Sequence, residues 1–322
     1  LATGVTVFII SASYAQIVEL FPSGGGGYLV ASKLLSPRVG MVAGCALLID
    51  YVLTISVSVA SGADALFSLP FLPEGWHGHK LSFAVAVVAI LIVLNLRGVR
   101  ESVLPLVPIF LLFVLTHVFI ILYAVLANLG GLPEMVGATG RDIASAGSEL
   151  GMFGALVLVV RAYSMGAGTF TGIEAVSNGL PLLREPRVQT ARRTMLYMAA
   201  SLGFMAMGLM LAYVVCRVRQ QPGRTVNAAL VQTVAAGWNA HAAWGLTLLV
   251  LLSEGAILFV AAQTGFLDGP RVLSYMALDR WVPSRFAILS DRLVTQNGIL
   301  LIGAAALATM LFTRALGAQT RG

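Results

Sequence analysis

Apolar residues run in long blocks along this chain, and polar residues gather between the blocks. A helix needs about 20 apolar residues to cross the hydrocarbon core of a bilayer. Blocks of that kind predict eight spans, at roughly residues 1–19, 39–69, 81–95, 103–127, 152–183, 191–216, 241–268 and 297–313. The expected fold class is therefore an all-α, polytopic membrane protein. No soluble-type repeat, low-complexity segment or linker interrupts the pattern, so residues 1–322 are expected to form a single transmembrane domain.

The fifth block breaks the pattern. It reads MFGALVLVVRAYSMGAGTFTGIEAVSNGLPLLRE, with Gly166, Gly168, Gly172, two threonines and Glu174 near its middle. Glycine lets a helix unwind, and unwound backbone at membrane depth is tolerated only where it lines protein or a water-filled cavity. A carboxylate at that depth costs about 2.5–3.5 kcal/mol on insertion scales and marks a functional site by default. The block predicts a discontinuous helix at a small-solute site, the arrangement used by secondary transporters. Thr171 and Glu174 lie three residues apart beside the expected break, and Ser177 and Asn178 continue the polar run. Glu174 could instead pin the short half-helix.

A second polar intrusion sits in LLIDYVLTISVS. Asp50 and Thr54 are one helical turn apart and share a face, with Tyr51 about 100° round. Three oxygen groups within five residues suit a cation or proton site, or else a polar cluster that packs helix on helix. Asp50 and Glu174 near one solute would repel in a low dielectric, which favours a shared proton and makes them candidates for proton coupling. Residues 22–28 read PSGGGGY, which is either a tight connector or a gating loop packed against moving helices. No Gly-Lys-Ser/Thr follows it, so it is not a phosphate loop. His117, alone in an apolar span, reads as a packed and hydrogen-bonded histidine. His77 and His79 read as solvated. Arg161 either pairs with an acid or snorkels outward. Asp279, Arg280 and Trp281 are expected on an interfacial helix beyond the seventh span.

Composition sharpens the class. Of the 322 residues 58% are hydrophobic and 11% are charged, and mean hydropathy is +0.90. The net charge of +6 does not point to nucleic acid, because the basic residues sit in loops. On one set of alternate loops lie twelve: Lys33, Arg38, Arg97, Arg100, Arg184, Arg187, Arg192, Arg193, Arg271, Arg280, Arg285 and Arg292. On the other lie five: Lys80, Arg141, Arg217, Arg219 and Arg224. The positive-inside rule makes the first set cytoplasmic and starts residue 1 outside. Cys45 and Cys216 fall near opposite faces, so no disulfide is expected. There is no zinc pattern, no nucleophile with partners and no dinucleotide fingerprint. The expectation is a multi-pass cell-membrane protein that is not an enzyme and has no catalytic residues and no cofactor. The oligomeric state stays open, a homodimer included.

The stretches PSGGGGYLVA, LLIDYVLTISVSVASGADAL, NLRGVRES and FTGIEAVSNGLPLLREP resemble the amino acid–polyamine–organocation superfamily. Within it, together with LDGPRVLSYMALDRWVPSRF and DRLVTQNGI, they most resemble the KimA-like branch of the Kup potassium transporters. The resemblance covers almost the whole chain. It implies a fold of twelve spans in two inverted repeats, with the first and sixth spans broken at the site. This chain would begin at the second span and stop before the tenth, so it is expected to be a piece of a longer transporter. The resemblance further implies a potassium site on Asp50, Tyr51 and Thr54 of the third span and Thr171 and Glu174 of the sixth. Site residues of the first and of a later span have no counterpart here. The run Leu267, Asp268, Gly269, Pro270, Arg271 departs from the Ala-Asp-Phe-Pro-Arg text of relatives, at positions not expected to touch the site.

The leading expectation is proton-coupled potassium uptake, since hard oxygen ligands suit a dehydrated monovalent cation. The alternative is a proton-coupled amino acid permease, in which the same oxygens hold an ammonium group. A non-transporting membrane sensor is a third reading. The orientation is directly testable. Single cysteines placed at Lys33, Arg97, Arg192 or Arg285 should resist an impermeant thiol reagent in intact cells, and those at Lys80 or Arg224 should react. Labelling at position 192 would reverse the assignment.

Overall fold

The computed structural model describes residues 2–22, 24, 26–98, 103–166, 172–180, 183–290 and 294–319. Its regular elements are all helices: α1 (Ala2–Leu20), α2 (Gly26–Leu34), α3 (Pro37–Phe67), α4 (Lys80–Leu96), α5 (Val103–Ala127), α6 (Leu132–Met165), α7 (Ile173–Asn178), α8 (Arg187–Val215), α9 (Val226–Val234), α10 (Ala240–Leu278) and α11 (Gln296–Gln319). Among the described residues, eight segments are long and apolar enough to cross a membrane. The short helices α2, α7 and α9 lie between them.

Helix starts follow the local sequence. Ser36 caps α3 through a bond from the Val39 amide at 3.3 Å, and Pro37 opens the first turn, where its missing N–H is no loss. Asn239 caps α10, accepting from the Ala242 amide at 2.8 Å, and Thr225 caps α9 in the same way at 3.1 Å. Small residues recur where the long helices approach one another closely, beside larger buried ones such as Ile55 and Phe266. Small residues such as Gly62, Ala63, Gly255 and Ala262 face neighbouring helices. Leu53, Val57, Ile90, Val93, Leu301 and Phe312 are exposed. That pattern suits lipid, where burial of apolar area does not drive association and close backbone packing does.

The tightest of these contacts joins α3 to α10. A Cβ added at Gly265 would stand 2.8 Å from the Tyr51 carbonyl oxygen and 2.6 Å from Ile55 Cγ1. Higher up, an added Cβ at Gly62 would meet Phe259 at 2.6 Å and the Gly255 carbonyl at 3.2 Å. Helices α4 and α11 pack beside this pair through Ile55, Val59, Val88, Leu91, Phe266, Ile299 and Ile302. Asn95 and Gln263 add a reciprocal amide pair at 3.0 and 2.8 Å that ties α4 to α10. A second group, α1, α7 and α8, closes around Val7, Ile173 and Ala199. A third, of α5, α8, α9 and α10, closes around Ile120, Ala212, Leu230 and Val250. Asn227 on α9 reaches back to Glu254 on α10 at 2.8 Å.

Two boundaries differ from expectation. Helix α10 does not stop near residue 268 but runs unbroken through Pro270 to Leu278, and Asp279 is its C-cap. There is accordingly no separate interfacial helix at 279–281. The proline removes one helical N–H, yet Phe266, Gly269, Pro270, Val272 and Leu273 are all buried, and this packing outweighs the local penalty. Helix α6 begins twenty residues ahead of position 152 and turns sharply at Gly151, whose φ is 68° and ψ is 170°. Both cysteines are free, as expected. His117 is buried and its Nδ1 bonds the Phe113 carbonyl at 2.9 Å. Arg161 is exposed.

Gly265→Leu should therefore lower stability by about 1–3 kcal/mol through overpacking against α3. Gly245→Ala, at a position with nothing within 4 Å, should be neutral or better. Thermal unfolding in detergent, followed by the loss of the monodisperse chromatographic peak, would compare them. Equal midpoints would show that the α3–α10 approach is not tight.

Candidate functional site

Helix α6 ends at Met165 with Gly166 as its C-cap, and α7 starts at Ile173 behind Gly172, so the block holds two separate helices, as the expected break requires. Gly172 caps the short α7 with φ of 100°, a conformation that L side chains rarely adopt. Thr171 lies outside the described residues. Beside the break is a cavity of about 380 Å³, lined by Ile10 and Tyr14 of α1, Leu47, Asp50 and Tyr51 of α3, Gly172, Glu174 and Ala175 at α7, and Thr264 and Asp268 of α10.

Glu174 is the hub of this cavity. Its Oε1 accepts from the Tyr51 hydroxyl at 3.1 Å and from Asn178 Nδ2 at 3.3 Å, and its Oε2 accepts from the Tyr14 hydroxyl at 3.3 Å. Asn178 Nδ2 also reaches the Tyr51 hydroxyl at 3.2 Å. The first turn of α7 thus aims its carboxylate at phenols from α1 and α3. The α-helical spacing of four residues places Asn178 beneath it. Asp50 behaves differently. It lines the same cavity, but it makes no hydrogen bond or ion pair among the described residues. Thr54, one turn further along α3, is half-buried and is not part of the cavity lining. Of the five residues singled out in the sequence, the structure brings Asp50, Tyr51 and Glu174 together.

The other members were not foreseen. Tyr14 sits in a span that reads as ordinary and apolar. Asp268 and Arg271 fall in the run expected to leave the site untouched, and that expectation is corrected here. Asp268 is 5% exposed and forms part of the cavity wall. Arg271 donates to the Asn178 carbonyl at 3.0 Å and lies 3.5 Å from Asp268. The reason is the length of α10: because the helix continues past residue 268, its polar face stays level with α7. A carboxylate inside the seventh span was itself the available signal.

Gly26, in the glycine run, packs against α7 beside the cavity. Gly26, with φ of 51°, lies so close to α7 that an added Cβ would stand 2.0 Å from Asn178 Oδ1 and 3.0 Å from Glu174 Oε1. From there α2 packs along α3, where an added Cβ at Gly40 would strike Ser32 Oγ at 1.8 Å. Buried Tyr28 donates to Asp279 Oδ2 at 2.5 Å, which fastens α2 to the end of α10. Burial, then the hydrogen bond to Asp279, pushes the Tyr28 hydroxyl pKa up to about 12, so it remains a donor at any physiological pH. Chemically the cavity offers carboxylate and phenol oxygens, and no cluster of three or more His, Cys, Asp or Glu that could hold a metal ion occurs among the described residues.

Comparison with known proteins agrees with this architecture. The profile of a family described as "Amino acid permease" matches residues 1–320. The chain belongs to the amino acid permease family. It is a multi-pass membrane protein. Among curated relatives, the potassium transporter KimA of Bacillus subtilis (strain 168) is 31% identical over 327 residues, covering 99% of this chain and 50% of that protein. The low-affinity putrescine importer PlaP of Escherichia coli (strain K12) is 30% identical over 98 residues, which is 30% of this chain and 20% of that protein. The chain thus spans half the length of KimA or less of the relatives it matches.

The Gly26 contact provides a test. Gly26→Ala should abolish transport by the complete protein while leaving it in the membrane, because the new methyl displaces Asn178 and with it Glu174. Gly27→Ala, whose Cβ would find only ordinary contact with Tyr14 at 3.5 Å, should keep most activity. Uptake normalised to membrane-inserted protein would separate the two, and equal activity would show that Gly26 has no part in the site.

Proposed function

We propose that this chain forms the ion-binding part of a secondary transporter for proton-coupled potassium uptake. Asp50 carries the reading: it is a carboxylate within a membrane span, facing a cavity, with no partner among the described residues. A charge so placed needs a cation or a proton to offset it. Glu174 already has three donors, so its charge is better met, while Asp50 is left for a cation. The Tyr51 and Tyr14 hydroxyl oxygens add hard ligands of the kind that replace a potassium hydration shell. The alignment with the potassium transporter over nearly the whole chain supports the same choice. Thr54 and Thr171 are proposed to complete the oxygen shell once the ion is bound, and one of the two acids to carry the proton. Transport, not catalysis, is the proposed activity.

An amino acid permease is the alternative. Three carboxylates, Asp50, Glu174 and Asp268, line the cavity, and they repel the carboxylate of a free amino acid. A substrate with ammonium groups alone is more compatible, and the match to a putrescine importer favours that version of the alternative.

In the complete transporter Asp50→Asn and Glu174→Gln should each abolish potassium-dependent growth of a transport-deficient host, with the protein still in the membrane. Thr54→Val should weaken apparent potassium affinity severalfold, by about 1 kcal/mol for one lost neutral ligand. Residual uptake at raised potassium should be read for each variant against pH, because only the proton-carrying acid should flatten the profile when neutralised. Normal potassium uptake in both acid variants, with loss of putrescine or amino acid uptake, would establish the alternative.

A further inference from the structure

Around one small cavity stand three carboxylates, and the guanidinium of Arg271 is the cation that contacts one of them among the described residues. Its position is unusual for a counter-charge. It does not line the cavity itself. It reaches Asp268 from behind, three residues further along α10, while a second bond holds it to the Asn178 carbonyl at the C-terminal end of α7. That carbonyl belongs to the last turn of a helix, where backbone oxygens lack in-helix partners. Asn178 in turn touches both Tyr51 and Glu174 through its side chain. One guanidinium therefore connects the acid of α10 to the half-helix that carries Glu174.

We propose that Asp268 adds a third negative charge to the wall of the cation site, acting through space rather than as one of three carboxylate ligands to a single ion, and that Arg271 is a tethered competitor for it, which keeps cation binding weak enough for release and passes occupancy on to α7. The proposal rests on reading the cavity as a cation site. In the empty site Arg271 offsets Asp268. An entering cation takes over that role at the cavity face, so the 3.5 Å contact to Arg271 loosens and the guanidinium is left on the Asn178 carbonyl. Both contacts come from Nη1, whose two N–H groups diverge in the guanidinium plane, so one can stay on the Asn178 carbonyl while the other leaves Asp268. A lysine keeps the charge but not the fixed planar direction of those N–H groups. Conduction through any site needs binding that is favourable on entry yet weak enough for exit, and a resident positive charge a few ångströms behind a carboxylate supplies that weakening electrostatically.

The sign of the effect separates this role from a merely structural one. Damage to a site loosens binding, whereas removal of a competitor tightens it. Binding would be measured on the purified complete transporter by calorimetry, with potassium chloride and separately with putrescine. Arg271→Gln should bind potassium about tenfold more tightly, while uptake per protein falls because release slows. Asp268→Asn should bind about tenfold more weakly. The double variant should return to within a few-fold of the unsubstituted protein. Arg271→Lys should keep near-normal affinity with reduced uptake, because charge is retained and the link to α7 is not. If Arg271→Gln alone does not reach the membrane, the double variant serves: it leaves no unpaired buried charge and should still bind more tightly than Asp268→Asn. Weaker or unchanged binding on loss of Arg271, in either background, overturns the proposal. If the unsubstituted protein binds putrescine and not potassium, the potassium reading falls, and the same four variants judge the Asp268–Arg271 pair by their putrescine affinities.

Discussion

The distance between α3 and α10 at Gly265 governs the whole cavity. At that level the Tyr51 backbone and the α10 backbone nearly touch, and only a hydrogen in place of a side chain permits it. Tyr51 and Asp50 on one helix and Thr264 and Asp268 on the other then converge on one space of about 380 Å³. A bulkier residue would separate the two acids from each other and from Glu174. The same approach has to be maintained without help from hydrophobic association, which lipid tails do not reward. Repeated small residues along the seam, at Gly62, Gly255 and Gly265, supply it by packing.

Polar groups then hold what packing has placed. Glu174 is gripped by phenols from α1 and α3, and the tyrosines are anchored by helices that belong to different packing groups. The short α7 has only six residues and could not keep its orientation by its own hydrogen bonds. Instead it is buttressed by Gly26 and by Arg271. Fixed in this way, its carboxylate would need little reorganisation to meet the proposed cation. Asp50 lacks such partners, and the contrast between two acids in one cavity divides the labour between a held group and a free one.

Much of this was legible in the sequence because charge and glycine are conspicuous in apolar text. The spans, the broken helix at Gly172 and the convergence of Asp50, Tyr51 and Glu174 all follow from residue types that a membrane tolerates only with reason. The glycine run was ambiguous between connector and gate. Its actual constraint, the 2.0 Å clash that any Cβ at Gly26 would make with Asn178, depends on a segment 150 residues away and has no local signature. Tyr14 was invisible for a related reason, since a tyrosine in a span is as often packed as functional. Asp268 could have been found. It is an acid at the end of an apolar block, the kind of residue that a membrane span holds only with reason. Burial of the Gly269–Val272 region keeps α10 helical past its proline, a tertiary effect that local propensity does not contain.

Helix α2 shows how far the consequences of one short loop extend. Its start touches Asn178 and Glu174, its body lies against α3 at Gly40 and Gly44, and Tyr28 bonds the Asp279 cap of α10. Three of the four helices that line the cavity, α3, α7 and α10, are therefore cross-linked by the nine residues of α2. Because α7 also takes Arg271 from α10, a shift of α7 cannot occur without strain at either the α2 contact or the α10 wall. A rearrangement that opens the cavity to one side must then move α7, α2 and the end of α10 together or break the Tyr28–Asp279 bond. Under the proposed function, rigid coupling of this kind would link occupancy of a small cavity to movement of whole segments, since packed interfaces have few intermediate arrangements.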